Sequence, residues 1–401
     1  MRILHITPAY PPAWHLGGVV RSVSQLCRGL AQLGHEVTVF TTDSGGDRRM
    51  AVPTDQPIDL EGVRVNYFKT NFFLKFCYSR ALGDACRRYL KEFDLVHMTS
   101  FWSYPGVSGT RKARRWKVPY VVSTRGTLVP YSMGQKAWKK RLYFKWVEQR
   151  NLQSAAAIHY TAELEREEMS SLGLTRPSFI VPNGLGLGEF SQLPDKLSAR
   201  KQLKLPRDAP VVLFLGRLHA RKGLAFLLEG FSRLAVSQPQ ALLLLAGPDA
   251  GEESKLKEMA RLMGVSSQVS FPGYIPPEKR NLYLKAADML ALTTHSGENF
   301  GNVAVEAMLA GVPVLVSEHV GICREVQADG AGMVVPLESR AIAGAIEQML
   351  ADKEGLRAMG EKAAASARRR YDIDLVARRM ATAYEDILTG RRSPALSWSD
   401  E

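Results

Sequence analysis

Cysteine is scarce. The 401 residues contain four, Cys27, Cys77, Cys86 and Cys323, with no C-x-x-C spacing and no histidine paired with them locally. No metal is placed on them, and thiols in a reducing cytoplasm are the simplest account. No run of about eighteen apolar residues exists, so nothing is expected to span a membrane. From Met1 to Thr7 the chain goes straight into a strand-like run and then Pro8, leaving no room for a signal-peptide core. The loop after that strand lacks a G-x-G-x-x-G, and Asp43 lies too far on for a ribose acid, which argues against a dehydrogenase. Acid is missing where it matters most. Between Arg111 and Arg150 twelve basic residues face one acid, Glu148, so this segment holds most of the formal charge of +13. The partner it attracts should be anionic: phospholipid, nucleic acid or an acidic polymer.

What is present is the composition of a soluble globular protein, 45% apolar and 23% charged. The chain is too long for one ordinary core, and two domains are expected. Strand-like runs open at Arg2, Glu36, Val63, Leu95, Tyr120, Ala157 and Phe179, with helix-length stretches between them. After the glycine-rich step from Asn183 to Gly188 the alternation restarts, with strands opening at Val211, Ala241, Val269, Met289, Val312 and Met333. This pattern predicts α/β architecture: two Rossmann-like domains with parallel sheets facing a central cleft, ligands lying beyond the strands' carboxyl ends. The expected division is 1–190, 191–372, and a last helix from 373 that packs back on the first domain. Residues after Gly390 read as a loose tail.

The stretch from His295 to Ala307 organises the rest. An apolar run at 289–292, a loop with two glycines and a helix start make an anion site, because first-turn amides lack intrahelical partners and the macrodipole is positive there. Glu306 stands among apolar residues and needs a partner, either a protein cation or ligand hydroxyls. Three strands earlier in the chain, Gly216-Arg217 and Lys222-Gly223 follow a strand. Two cations at that position neutralise a diphosphate and the charge it gains on leaving.

These motifs, G-R-x4-K-G followed by E-N-F-G-x4-E, resemble the retaining GT-B glycosyltransferases of family 4. The likeness extends to the Pro11-Pro12 and Gly17-Gly18 loop, Val181-Pro182-Asn183-Gly184 and Gly273-Tyr274-Ile275-Pro276. It implies sugar transfer from a UDP- or GDP-sugar to an acceptor hydroxyl, with retained anomeric configuration, without a metal, the nucleotide-sugar being a co-substrate and not a cofactor. It further implies that Arg217 and Lys222 hold the donor diphosphate, Glu306 takes the ribose hydroxyls and Glu298 reaches the transferred sugar. Gly216, Phe300, Gly301, Asn302 and Val303 line the sugar and phosphate, and Tyr274 and Ile275 meet the base. Gly17 and Gly18 let the first loop approach closely.

Many family members carry a histidine where this chain has Arg125, in Thr124-Arg125-Gly126-Thr127. A guanidinium supplies a permanent charge to phosphate or acceptor but no base at pH 7. His97, at a strand's carboxyl end, is expected to line the cleft. From Lys136 to Val147, Trp138, Leu142 and Trp146 share one helical face flanked by cations. That helix either lies in an anionic headgroup layer or covers the sheet with its apolar face. A glycan or polyprenyl-linked acceptor, a role in surface polysaccharide, lipopolysaccharide or exopolysaccharide synthesis, and a cytoplasmic protein peripheral to the membrane are expectations by family analogy. The alternatives are a non-hydrolysing nucleotide-sugar epimerase and a basic nucleic-acid binder. The epimerases lack this pair of glutamates, and no nucleic-acid module is recognised, so no nucleic-acid partner is expected.

Overall fold

Short runs of Val, Ile, Leu and Tyr, each closed by a polar or glycine-bearing loop, become the strands of two sheets. The computed structural model describes residues 1–99, 101–129, 133–134 and 137–391. In the first sheet are β1 (Arg2–Ile6), β2 (Glu36–Thr42), β3 (Ile58–Leu60), β4 (Val63–Phe68), β5 (Leu95–Met98), β6 (Tyr120–Ser123), β7 (Ala157–Tyr160) and β8 (Ser178–Ile180). Their order is β3-β4-β2-β1-β5-β6-β7-β8. Every described pairing in it is parallel except β3 with β4, which is antiparallel. The sequence reading has no strand at β3. Three residues hold too little period, and what makes the hairpin is its two-residue turn, Glu61 and Gly62, both with positive φ (57° and 83°).

Successive side chains on a strand face opposite sides, and here both sides are covered. Ile3 packs with Val37, Val65, Leu95, Val121 and Phe179 beneath the Ile373–Thr389 helix, represented by Val376, Met380 and Tyr384. Leu4 and Ile6 pack on the other face with Val96, Met98, Val122 and Ile158.

The second sheet holds β9 (Val211–Leu215), β10 (Leu242–Ala246), β11 (Val269–Gly273), β12 (Met289–Leu292), β13 (Val314–Ser317) and β14 (Gly332–Val335), in the order β11-β10-β9-β12-β13-β14. The order runs backwards from β9 and then forwards from β12, so the chain reverses direction across the sheet between those two strands. Their carboxyl ends are the position at which a doubly wound sheet opens a crevice. The first sheet reverses in the same way between β1 and β5.

By contacts the chain divides into two compact units, Met1–Leu185 with the chain from Ile373 onward, and Gly186–Asp372. By this division the first boundary falls at Leu185. The Ile373–Thr389 helix is bound to the first unit by close backbone approach. A Cβ added to Gly184 would lie 2.6 Å from the Ile373 side chain, and one on Gly29 2.9 Å from Ala377 Cβ. Ile373 N–H also donates to Leu185 O at 3.1 Å. Lys136 and residues 392–401, read above as part of a basic helix and as a tail, lie outside the described residues.

Candidate active site

The loops after β9 and β12 are tied to each other by backbone. After β9 comes Gly216, whose N–H donates to Ala246 O, then exposed Arg217 and fully buried Leu218. A turn of 3-10 helix, Ala220–Lys222, follows, capped by His219, whose Nδ1 accepts from Arg221 N–H at 3.0 Å. Arg221 O then accepts from His295 N–H at 3.0 Å and from Thr294 Oγ1 at 2.9 Å. Gly223 closes the turn with φ 61°, and a Cβ there would lie 2.2 Å from Thr293 O. Only glycine lets the two loops come this close.

On the β12 side, Glu298 is bridged to Val320, and its carbonyl accepts from Gly321 N–H at 2.9 Å. Gly301, with φ 97°, starts the Asn302–Leu309 helix, which has no side-chain cap and no acid in its first turn. Its positive end therefore carries no competing carboxylate on the helix start.

The result brings the charges together. Lys222 Nζ is ion-paired with Glu298 Oε2, the two side chains 15% and 18% exposed. Burial alone would push the Glu298 carboxyl up. The Lys222 ammonium, with Arg221 and Arg217 adding, outweighs burial and holds it below the usual carboxylate range. Partial burial and the charges of Arg221 and Arg217 push His219 down from its ordinary value. Thus the charges of Arg217, Arg221 and Lys222 all act on the Glu298 carboxylate. Arg221 and His219 were not singled out in the sequence, although both lie inside the quoted motif and a helical-turn projection would have placed them there.

Glu306 is 2% exposed and ion-paired with Arg280, from the Pro277–Ala286 helix. Of the two partners the sequence allows, a protein cation is present. Phe300 is 1% exposed and its ring meets Tyr371 edge-on, so its part in the loop is played by its backbone. Asn302 and Val303 are half-buried on the first turn of the helix. Tyr274 is exposed and Ile275 buried, beyond the turn at Gly273 (φ 74°).

In the N-terminal unit, Gly17 (φ 105°) and Gly18 begin the Gly18–Gln32 helix, which likewise has no side-chain cap and no acid in its first turn. Arg125 is 8% exposed, in the left-handed region with φ 48°. Its guanidinium donates to Ser22 Oγ at 3.1 Å, Ser123 Oγ at 3.0 Å and Asn183 Oδ1. Burial lowers its pKa to about 10, a loss that Glu165 opposes. That turn is shaped by Glu165, which accepts from Gly126 N–H (2.6 Å), Thr124 Oγ1 (2.7 Å), Thr161 N–H (2.8 Å) and Thr161 Oγ1 (2.9 Å). Nothing local in the sequence marks Glu165, because its partners come from two separate loops.

His97 corrects the sequence reading. It has no exposed surface, its Nδ1 meets the Tyr384 hydroxyl, and its ring lies 4.6 Å from that of His5 and 5.4 Å from that of His159. Burial, with the neighbouring His5, His159 and Arg125, pushes its pKa well below the ordinary value. It is a neutral core residue, because β5 is covered on both faces, and it lines no open surface of its unit. Among the described residues no three of His, Cys, Asp and Glu come together as metal ligands.

The basic helix is also resolved. Trp138, Leu142 and Trp146 are 69%, 54% and 73% exposed, so they do not cover the sheet. They lie on the Ala137–Tyr143 helix and the π-helix Phe144–Glu148 that continues it. Glu148, the one acid of this region, is buried against Trp102 N–H and Asn151. Among the described residues no helix is long and apolar enough to cross a membrane.

Comparison with known proteins gives the family. Residues 195–366 match the family of glycosyl transferases group 1, and residues 17–184 match the glycosyl transferase 4-like domain. The mannosylfructose-phosphate synthase of Agrobacterium fabrum is 30% identical, over 79% of this chain and 75% of that protein. Among solved structures, sucrose-phosphate synthase from Thermosynechococcus elongatus superposes with a TM-score of 0.77 at 22% identity, covering 97% of this chain and 99% of that one. Anabaena Alr3699/HepE, in complex with UDP and glucose, gives 0.75 at 20% identity, covering 96% and 100%. The two sheets, the cationic turn beside Glu298 and these matches together show that the chain belongs to the group 1, family 4 glycosyltransferases, and that it is a glycosyltransferase of GT-B fold.

Proposed function

We infer that the chain transfers a sugar from a nucleoside-diphosphate sugar to a hydroxyl of a phosphate-bearing acceptor, with the anomeric configuration retained. The observation that carries this is the Lys222–Glu298 pair, set with Arg217 and Arg221 before an uncapped helix end at the reversal point of the second sheet. The diphosphate lies between the cationic turn and the amides of the Asn302–Leu309 helix. Glu298 takes the sugar hydroxyls and Glu306 the ribose, so each carboxylate meets neutral hydroxyls on either side of the phosphates. Breaking the bond between the anomeric carbon and phosphate oxygen puts charge on the diphosphate, which Lys222 and Arg217 stabilise. The acceptor oxygen bonds to the same face of the anomeric carbon, and its proton passes to the departing phosphate oxygen. Catalysis is then positioning and charge stabilisation, which the cations and the helix end supply from the chain itself.

The acceptor belongs to the N-terminal unit, where Gly17, Gly18 and the buried guanidinium of Arg125 stand near strand carboxyl ends. Two of the relatives are named for phosphorylated products, mannosylfructose phosphate and sucrose phosphate, which supports an anionic acceptor. The exposed Trp138, Leu142 and Trp146 among Lys139, Arg141 and Lys145 favour an acceptor reached at an anionic bilayer, as a polyprenyl-linked glycan would be, with the protein on the cytoplasmic face. A role in surface polysaccharide synthesis follows from that acceptor.

The test is a thermal-stabilisation screen of UDP- and GDP-sugars, since a ligand that binds the folded state raises the melting point. One nucleotide-sugar should raise Tm of the intact chain and lose that effect in Lys222→Ala. If none does at millimolar concentration, the donor reading is wrong.

A further inference from the structure

Arg280 lies outside every motif discussed for the sequence, yet it holds the most buried carboxylate of the candidate site. Its Nη2 donates to Glu306 Oε2, from a side chain 30% exposed onto one 3% exposed. Around Glu306 on the same helix Ala304, Val305, Ala307 and Met308 are fully buried, so a carboxylate there needs a fixed cation. Arg280 Nε is buried and has no partner among the described residues, which leaves a donor beside the carboxylate. The helix that carries Arg280 begins at Pro277, directly after the Gly273-Tyr274-Ile275 turn. One short stretch, 273–280, thus connects the base contact and the ribose contact assigned above.

We propose that Arg280 is a positioning residue for the nucleoside half of the donor, fixing the Glu306 carboxylate and orienting it toward the ribose hydroxyls. This rests on the reading of Glu306 as the ribose ligand. The Arg280 guanidinium fixes the carboxylate through Oε2, and the diol donates to the same carboxylate. Charge-assisted hydrogen bonds of that kind are stronger and shorter than neutral ones. Without the guanidinium the carboxylate loses both its charge partner and its fixed rotamer.

The experiment is calorimetric titration of UDP, GDP and inorganic pyrophosphate into the intact chain and its Arg280→Met, Arg280→Lys, Glu306→Gln and double Arg280→Met/Glu306→Gln variants. Arg280→Met should weaken the nucleoside diphosphate that binds by about tenfold or more while leaving pyrophosphate within about twofold. Arg280→Lys should recover most of the loss. In the Glu306→Gln background, Arg280→Met should cost nothing further, because the two act as one unit. If Arg280→Met does not fold, the double variant, which removes both charges, and Arg280→Lys carry the comparison. A lowered Tm with an unchanged ratio of nucleotide to pyrophosphate affinity overturns the proposal, as does additivity of the two substitutions. Loss in Glu306→Gln with none in Arg280→Met overturns it alone. Normal nucleotide affinity in Glu306→Gln overturns the ribose assignment and this proposal with it.

Discussion

Replacing Glu298 by Gln should separate binding from transfer. In the structure Lys222 is shared ground: its ammonium pairs with Glu298, and the proposed diphosphate takes the same ammonium. The two side chains, 15% and 18% exposed, belong neither to the free surface nor to a dry core. Opposite charges about 4 Å apart attract by about 4 kcal/mol at an effective dielectric constant near 20, and desolvation cancels much of that. A net of about 1–2 kcal/mol is left, so a diphosphate competing for Lys222 loses that much to Glu298. Glu298→Gln should therefore bind UDP or GDP roughly tenfold more tightly than the natural chain. Transfer should nonetheless fall by about a thousandfold, since an amide neither stabilises positive charge on the sugar ring nor accepts from two hydroxyls with full charge. Isothermal titration with the nucleoside diphosphate and initial rates with the matching nucleotide-sugar measure the two effects on one preparation. Unchanged or weaker diphosphate binding in Glu298→Gln refutes the competition for Lys222, and near-normal turnover refutes the role of the carboxylate.

Removing the charges of Lys139, Lys140 and Arg141 together should weaken binding to phosphatidylglycerol vesicles by about a hundredfold, at about 1 kcal/mol per cation, and leave phosphatidylcholine binding unaltered; equal sedimentation would remove the bilayer contact. Gly223→Ala puts a Cβ 2.2 Å from Thr293 O at φ 61°. It should lower the stability of the second unit by at least about 1–3 kcal/mol, read in urea unfolding, and weaken donor binding; native stability would mean that the two loops separate freely. The first unit should be acid-sensitive. Burial holds His5 and His159 neutral, with pKa values of about 3, Arg125 adding to the effect. Because these folded values lie below the unfolded one, the unfolded chain binds protons first. Stability is complete above about pH 6.5 and falls toward pH 3 by about 1.4 kcal/mol per pH unit for each histidine. A urea midpoint for this unit that stays flat from pH 7 to pH 4 would refute the neutral histidine cluster.

The strands were legible because each is a short apolar run ended by Gly, Pro or a polar loop, and such runs in alternation with helices admit few folds. The same held for the cationic turn and the Glu298 loop, where the residues that matter lie within a few positions of one another. Legibility stopped where partners are far apart in the chain. Arg125 meets Ser22 across 103 positions and Asn183 across 58. Arg280 meets Glu306 across 26 from another helix, and the four bonds of Glu165 come from loops on either side of β7. His97 was misplaced for the same reason. A strand end reads as a cleft position until one knows which residue of the returning last helix covers it: Tyr384 meets its ring.

Composition and local order by themselves determined two doubly wound domains, a cationic turn and a basic aromatic stripe, because periodicity and adjacent motifs depend only on neighbours along the chain. Tertiary structure alone decided which cation neutralises which carboxylate, whether Trp138 and Trp146 face the sheet or the solvent, and which histidine is sealed in the core. Those outcomes depend on long-range packing, where burial sets the cost of a charge and only the folded chain supplies its partner.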